Sequence, residues 1–195
     1  MRLAAQAASI VRNGGVIVYP TDSCYAVGCH LGDKQAATRL RALRKLDEKH
    51  HLTLVCRDLS EVGIYAKVTN SAFRLMKTIT PGPYTFILPA TSEVPRRLVH
   101  PKKRTIGVRI PENPIVASLL DCLGEPLMST TLQLPGDDMP MTDPYEMRSL
   151  LGAHVDLIVD GGYCGLEPTT VIDLTEETYR VVREGKGLVD ELLNV

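Results

Sequence analysis

The chain has 195 residues, 44% of them hydrophobic and 23% charged, with a net charge of −1. These values exclude a disordered or fibrous protein and suit one domain with a continuous core. The near-zero balance steers no partner as a whole, so any attraction to phosphate has to come from local clusters. The cysteines, Cys24, Cys29, Cys56, Cys122 and Cys164, are odd in number and form no Cys-x-x-Cys pair. Reduced thiols in a reducing, cytoplasmic setting are therefore expected, not a disulfide framework.

The first segment places Leu3, Ala4, Ala7, Ile10 and Val11 at helical spacing and closes on Asn13-Gly14-Gly15. It reads as an amphipathic helix of the fold and not as a signal peptide. A strand follows at residues 16–19. Asp33 is placed to cap a helix with the stripe Ala36, Ala37, Leu40 and Leu43. Residues 52–56 read as a strand, a short helix starts near Ser60, and a longer helix covers residues 71–77. Pro81-Gly82-Pro83 turns the chain into a strand at 84–88. Another strand, 105–110, is closed by Pro111, and Asn113-Pro114 opens a helix through Leu120.

A strand at 126–130 precedes a Gly/Pro/Asp loop at 135–140. Asp143-Pro144 caps a helix ending near Gly152. Short strands are expected at 155–159, 170–173 and 179–183, and a terminal helix at 189–193. No apolar run approaches the ~18 residues of a membrane span. Alternating strands and helices predict a single α/β domain over residues 1–195, with a twisted, open, mixed sheet flanked by helices. The final strands lack long helices between them, so part of the sheet is expected to be antiparallel.

In open α/β sheets ligands sit beyond the strand carboxyl ends. Polar groups without a packing reason mark four places: Thr21-Asp22-Ser23, Arg109, Ser129-Thr130-Thr131 and Pro168-Thr169-Thr170. The first suits a ligand with an amine or hydroxyls. Arg109, inside an apolar strand, either meets an acidic neighbour or holds an anion as a planar fork. Two basic clusters stand out: Arg39, Arg41, Arg44, Lys45 and Lys49, and Arg96, Arg97, Lys102, Lys103 and Arg104 with His100. They are either solvated faces or contacts to the phosphates of a nucleotide or RNA. His50-His51 gives no convincing metal site, and no Gly-rich phosphate loop or nucleophile elbow occurs.

The segment Tyr19-Pro20-Thr21-Asp22-Ser23-Cys24-Tyr25-Ala26-Val27-Gly28-Cys29 resembles the signature of the YrdC-like family. The resemblance continues through Pro81-Gly82-Pro83-Tyr84-Thr85, Gly107-Val108-Arg109-Ile110-Pro111, Ser129-Thr130-Thr131, Pro168-Thr169-Thr170-Val171-Ile172-Asp173 and Arg183-Glu184-Gly185. It covers nearly the whole chain, in order, and is closest to the YciO branch.

It implies a YrdC/RibB-type sheet with a concave, basic cavity. It further implies L-threonylcarbamoyladenylate synthesis from L-threonine, bicarbonate and ATP with Mg²⁺ as the substrate complex, for tRNA modification. No tightly bound cofactor or metal is expected. Double-stranded RNA or tRNA binding is a second implication, through Arg96, Arg97, Lys102, Lys103 and Arg104. Thr21, Asp22, Tyr25 and Arg109 would bind the substrate. Arg44, Lys45, Ser129, Thr131, Gln133, Thr170 and Arg183 would lie near the nucleotide, with Arg109 and Arg44 in catalysis. The chain departs from the synthase pattern at two places. Where the synthases carry Lys-x-Arg-Pro it has Arg44, Leu46 and Asp47, and where they carry Ser-x-Asn it has Thr131-Leu132-Gln133.

Overall fold

The computed structural model describes residues 2–46, 50 and 52–190. α1 (Arg2–Arg12) buries Ala7, Ala8 and Val11 and leaves Leu3 on the surface. The chain then leaves the helix through Gly14, whose φ of 83° is a left-handed value that side chains resist. β1 (Ile17–Tyr19) and β2 (Ala26–His30) form an antiparallel pair. β2 is absent from the sequence-based expectation. Its Ala-Val-Gly-Cys-His run shows no alternation because its residues are buried on both faces, all but His30. Gly28 is a packing residue there: a Cβ would lie 2.8 Å from Leu127 Cδ2 and 3.0 Å from Tyr19 Cε1.

α2 (Lys34–Arg44) starts where Asp33 accepts a hydrogen bond from the Ala36 amide at 2.8 Å, and buries Ala36, Ala37 and Leu40. After β3 (Thr53–Val55), α3 (Leu59–Tyr65) is capped by Asp58, and the Glu61 carboxylate reaches back to the Arg57 amide at 2.7 Å. This cap sets the start one residue before the expected Ser60. α4 (Asn70–Ile79) is capped by Thr69 and leads into β4 (Tyr84–Pro89). A 3₁₀ turn at Arg96–Leu98 separates β4 from β5 (Thr105–Arg109). α5 (Pro114–Leu123) has Asn113 as cap and closes on Gly124 at φ 77°. β6 (Leu127–Thr131), α6 (Pro144–Leu151), β7 (Leu157–Ile158), β8 (Thr170–Asp173) and β9 (Arg180–Arg183) complete the order. The expected terminal helix lies largely outside the described residues.

The strands form one mixed sheet in the order β7-β1-β2-β6-β3-β5-β4-β8-β9. The pairs β1–β7, β3–β5 and β4–β8 are parallel, and the remaining pairs are antiparallel. The predicted α/β class and mixed sheet are what is found. Of the last three strands, β7 and β8 join parallel partners, and the antiparallel character lies in β8–β9. Alternation along the strands sorts side chains onto two faces. Val16, Val18, Leu54 and Met128 join a core with residues of α2, α4 and α6. Ile17, Tyr19, Val55 and Leu127 join a second core under α1 and α5. Among the described residues no helix is long and apolar enough to cross a membrane.

Candidate functional site

Residues 20–25 join β1 to β2 and are shaped by their own hydroxyls. Thr21 Oγ1 donates to Cys24 O at 2.7 Å and accepts from the Ser23 amide at 3.1 Å. This is a side-chain-stabilised turn, and Thr21 and Ser23 are both buried. It presents the Asp22 carboxylate to Arg109, whose Nη2 donates to Asp22 Oδ1 and lies 3.4 Å from Ser23 Oγ. The second carboxylate oxygen accepts from the Glu112 amide at 2.8 Å. Both side chains of the pair are 10% exposed. Of the two sequence-based options for Arg109, the acidic neighbour is present. Yet Arg109 Nε is buried without a hydrogen-bond partner among the described residues, so the guanidinium is only partly satisfied.

The rule of strand carboxyl ends does not explain this meeting. β5 runs antiparallel to β1, so their carboxyl ends face opposite ways along the sheet. They are four strands apart in the sheet order, so it is the loop of residues 20–25, and not the end of β1 itself, that meets the end of β5.

Two further segments close on the same turn. Tyr25 OH donates to Gly162 O at 2.7 Å and accepts from the Gly161 amide at 3.0 Å, and burial raises its phenol pKa. Cys164 Sγ lies 3.3 Å from Thr21 O. A Cβ on Gly165 would sit 2.7 Å from Ser23 O, so only glycine allows this approach. From the chain's end, Lys186 Nζ donates to Asp22 O. Residues 183–187 are laced to the start of β8. Arg183 Nη2 donates to Thr169 O at 2.8 Å, and Thr170 Oγ1 donates to Gly187 O at 2.6 Å while accepting from the Gly185 amide at 2.9 Å. The buried Cys24 thiol is pushed up to about 11, mainly by desolvation and next by Cys164. Arg109, Lys186 and Arg183 oppose that rise.

The expected nucleotide residues divide. Thr131 pairs with Ala26 across β6 and β2, and the next amide, Leu132 N, donates to Tyr25 O at 2.8 Å. Arg44 Nη1 donates to Gln133 O, and burial lowers its pKa. Its Nε is buried and unpartnered among the described residues. The two departures from the synthase pattern thus touch each other; Asp47 lies outside the described residues. Lys45 is the left-handed cap of α2, at φ 48°. Ser129 is buried, with its hydroxyl 2.6 Å from Tyr19 OH and donating to Val27 O at 3.3 Å. Ser129, Tyr25 and Thr170 therefore spend their hydroxyls within the fold.

The expected RNA residues divide: Arg96 and Arg97 lie beside α2 at the other end of β2, whereas Lys103 stands with Asp173 and Arg180 of β8 and β9. Arg97 Nη2 donates to Leu31 O at 2.9 Å, and the amides of Lys102, Lys103 and Arg104 bond to His100. Glu112, Gly161, Gly165 and Lys186 were not singled out from the sequence, and Tyr19 entered only as the first residue of the Tyr19-Pro20-Thr21-Asp22 turn. For Lys186 a signal existed, since it directly follows the quoted Arg183-Glu184-Gly185. Among the described residues no group of three or more His, Cys, Asp or Glu could hold a metal ion.

These features define an α/β domain in which a polar first loop is clamped between the end of one inner strand and the chain's last segment. Residues 9–185 match the Sua5/yciO/yrdC family model, described as telomere recombination, and the chain belongs to that family. It is 57% identical to Uncharacterized protein YciO of Escherichia coli strain K12, over 98% of this chain and 93% of that protein. The E. coli YciO crystal structure superposes with a TM-score of 0.94 over the same shares. A threonylcarbamoyl-AMP synthase of Halorhodospira halophila is 32% identical over 86% of this chain and 87% of that protein. P. abyssi Sua5 complexed with L-threonine gives a TM-score of 0.86 at 26% identity, over 93% of this chain and 54% of that one.

Proposed function

We propose that the chain binds L-threonine and an adenine nucleotide beside the Asp22–Arg109 pair. There it would join L-threonine, bicarbonate and Mg-ATP into threonylcarbamoyl-AMP, releasing pyrophosphate and water. Arg109 carries the reading. It is a nearly buried guanidinium held by Asp22 with its Nε unpaired, and it can take a substrate carboxylate as a planar fork. The names of the synthase relatives and the threonine complex of Sua5 support the substrate class.

In this reading the carboxylate of N-carboxy-threonine attacks the α-phosphate in line. The protein then supplies mostly position and countercharge. Thr21 and Tyr25 shape the threonine wall through the turn they hold. Arg44, Lys45, Thr131, Gln133 and Arg183 face the nucleotide, Ser129 and Thr170 position those strands, and Mg²⁺ bridges the phosphates. A tRNA or double-stranded RNA partner would use Arg96, Arg97, Lys102, Lys103 and Arg104. The five free thiols agree with a reducing, cytoplasmic setting.

The test is pyrophosphate release that requires threonine, bicarbonate and Mg-ATP together, with threonylcarbamoyl-AMP identified as product. Arg109→Ala should lower the rate by roughly 10²–10³. Pyrophosphate release that is indifferent to threonine would sink the reading.

A second reading, an enzyme of the same site acting on another acyl-adenylate, is favoured by Arg44. Its guanidinium is engaged on Gln133 O, and both residues stand where the synthases carry other residues. Ligand-dependent thermal shifts across amino acids and nucleotides separate the two: threonine with ATP gives the largest shift only under the first.

A further inference from the structure

Two cysteines meet at the β1–β2 turn. Cys24 belongs to the turn itself and is buried. Cys164 comes from the segment joining β7 to β8 and is half-buried, and its Sγ donates to Thr21 O at 3.3 Å. The same threonine donates through Oγ1 to Cys24 O at 2.7 Å, so one residue bonds to both cysteines. The backbones also meet. Gly165 follows Cys164, Ser23 precedes Cys24, and a Cβ on Gly165 would stand 2.7 Å from Ser23 O. The two segments thus touch at the residues that flank the cysteines, which is the first requirement of a disulfide between them.

The electrostatics agree with this proximity. Burial pushes the Cys24 thiol up to about 11, and of the ionisable neighbours Cys164 acts on it most, ahead of Arg109, Lys186 and Arg183. The other two buried thiols differ. Beyond burial, Cys29 responds to Asp33, Arg97 and Arg39, and Cys56 to Glu61 and Asp58; neither has a cysteine among those groups.

Access divides the roles within the pair. An oxidant in solvent reaches half-buried Cys164 before it reaches Cys24. Cys24 keeps its proton at neutral pH and is a poor first nucleophile. Residues 159–169 carry no helix or strand, so Cys164 can swing toward Cys24 without breaking a sheet ladder.

We propose that Cys164 and Cys24 form a reversible disulfide on exposure to a peroxide, and that this bond fastens residues 160–165 to the turn that holds Asp22. Cys164 Sγ takes one peroxide oxygen: the O–O bond breaks, an S–O bond forms, and one water leaves. The sulfur is oxidised to a sulfenic acid and the peroxide is reduced. Cys24 Sγ then attacks the Cys164 sulfur. The S–S bond forms, the S–O bond breaks, and the hydroxyl leaves with the Cys24 proton as a second water. The bond concerns the loop itself and does not depend on adenylate chemistry at the site.

The folded wild type is treated with hydrogen peroxide, alkylated, digested and mapped by mass spectrometry, beside Cys24→Ser, Cys164→Ser and, as a control, Cys122→Ser. A cross-linked peptide joining residues 24 and 164 is expected, with free thiols falling by two, from five to three, and restored by dithiothreitol. Cys24→Ser should stop at a sulfenic acid on Cys164, trapped by dimedone, and Cys164→Ser should keep its remaining thiols. The bond joins positions 140 apart, 164 minus 24, and constrains the unfolded chain accordingly. The unfolding temperature should rise by roughly 5–15 °C in the oxidised wild type and in Cys122→Ser, and in neither of the other variants.

Wild-type thiols that stay reduced would overturn the proposal. So would sulfinic or sulfonic acid on Cys164 beside a free Cys24, a preferred cross-link to another cysteine, or a cross-link that leaves the unfolding temperature unchanged. If Cys24→Ser, at a buried position, does not fold, the wild-type map and Cys164→Ser, at a half-buried one, decide by the same criteria.

Discussion

Arg109 and Asp22 are each about nine-tenths buried, so removing one strands the other's charge in a poorly hydrated place. Asp22→Ala should cost about 3–5 kcal/mol by urea unfolding, and Asp22→Ala with Arg109→Ala much less than the sum of the single losses. Additive costs would mean the pair is effectively solvated. Two other buried acids give stability a pH dependence. Burial, only partly offset by Ser129 and Arg109, raises Tyr19 from 10.0 to about 12. Burial with Asp33 raises Cys29 from 9.0 to about 12, against the pull of Arg97 and Arg39. In both, the folded protein keeps a proton that the unfolded chain gives up. Their stability contribution is therefore full below pH 9–10 and is lost as pH climbs toward 12. The loss is about 1.4 kcal/mol per pH unit for each group. Urea midpoints at pH 8 and pH 11 should differ in that direction, and less so in Tyr19→Phe.

The sequence showed that Arg109 needed a partner, because a lone cation in Ile-Gly-Val-Arg-Ile cannot be buried unpaired. It could not show that the partner stands 87 positions away on the β1–β2 loop. Nor did it show that Tyr25, Ser129 and Thr170 use their hydroxyls internally, since a hydroxyl's neighbour is set by tertiary contact and not by spacing.

At the level of elements, the capping residues were the most legible features. Asp33, Asn113 and Asp143 all accept helix N-terminal amides as expected. Asp58 was not read as a cap, although its type suits one; it accepts from the Glu61 amide at 2.8 Å and starts the helix at Leu59. β2 was illegible for a different reason: a strand covered on both faces has no period-two signature. The lacing of residues 183–187 onto β8 depends on a glycine. A Cβ on Gly185 would lie 2.3 Å from Pro168 O and 2.7 Å from Thr169 O, both main-chain atoms that cannot yield cheaply. Gly185→Ala should therefore loosen this segment, at a cost of about 1–3 kcal/mol. Limited proteolysis should then cut near residues 183–190 before the sheet. Unchanged cleavage would show that the backbone shifts to accept the methyl.

Over the whole molecule, the alternation of strands and helices explains why the α/β class and the mixed sheet were readable, while strand order was not. Local pattern fixes which segments are strands, and their neighbours depend on crossovers such as β2–β6 and β4–β8. The sheet's edges are short or charged: β7 spans two residues, and β9 begins and ends on arginine. Both limit edge-to-edge pairing with other chains. Native-state hydrogen exchange offers a global check on the clamp. Lys186→Ala should speed exchange at the Ser23 and Gly161 amides, whose acceptors Thr21 Oγ1 and Tyr25 OH belong to the clamped loop. The sheet amides should keep wild-type protection.

The contact from Lys186 to Asp22 spans 164 positions of chain. During synthesis at about 5–20 residues per second, the turn is made roughly 8–33 s before the lysine that holds it. For that interval Asp22 and its neighbours wait without their last partner. A nascent chain stalled short of residue 186 would carry most of its sheet but an unclamped first loop.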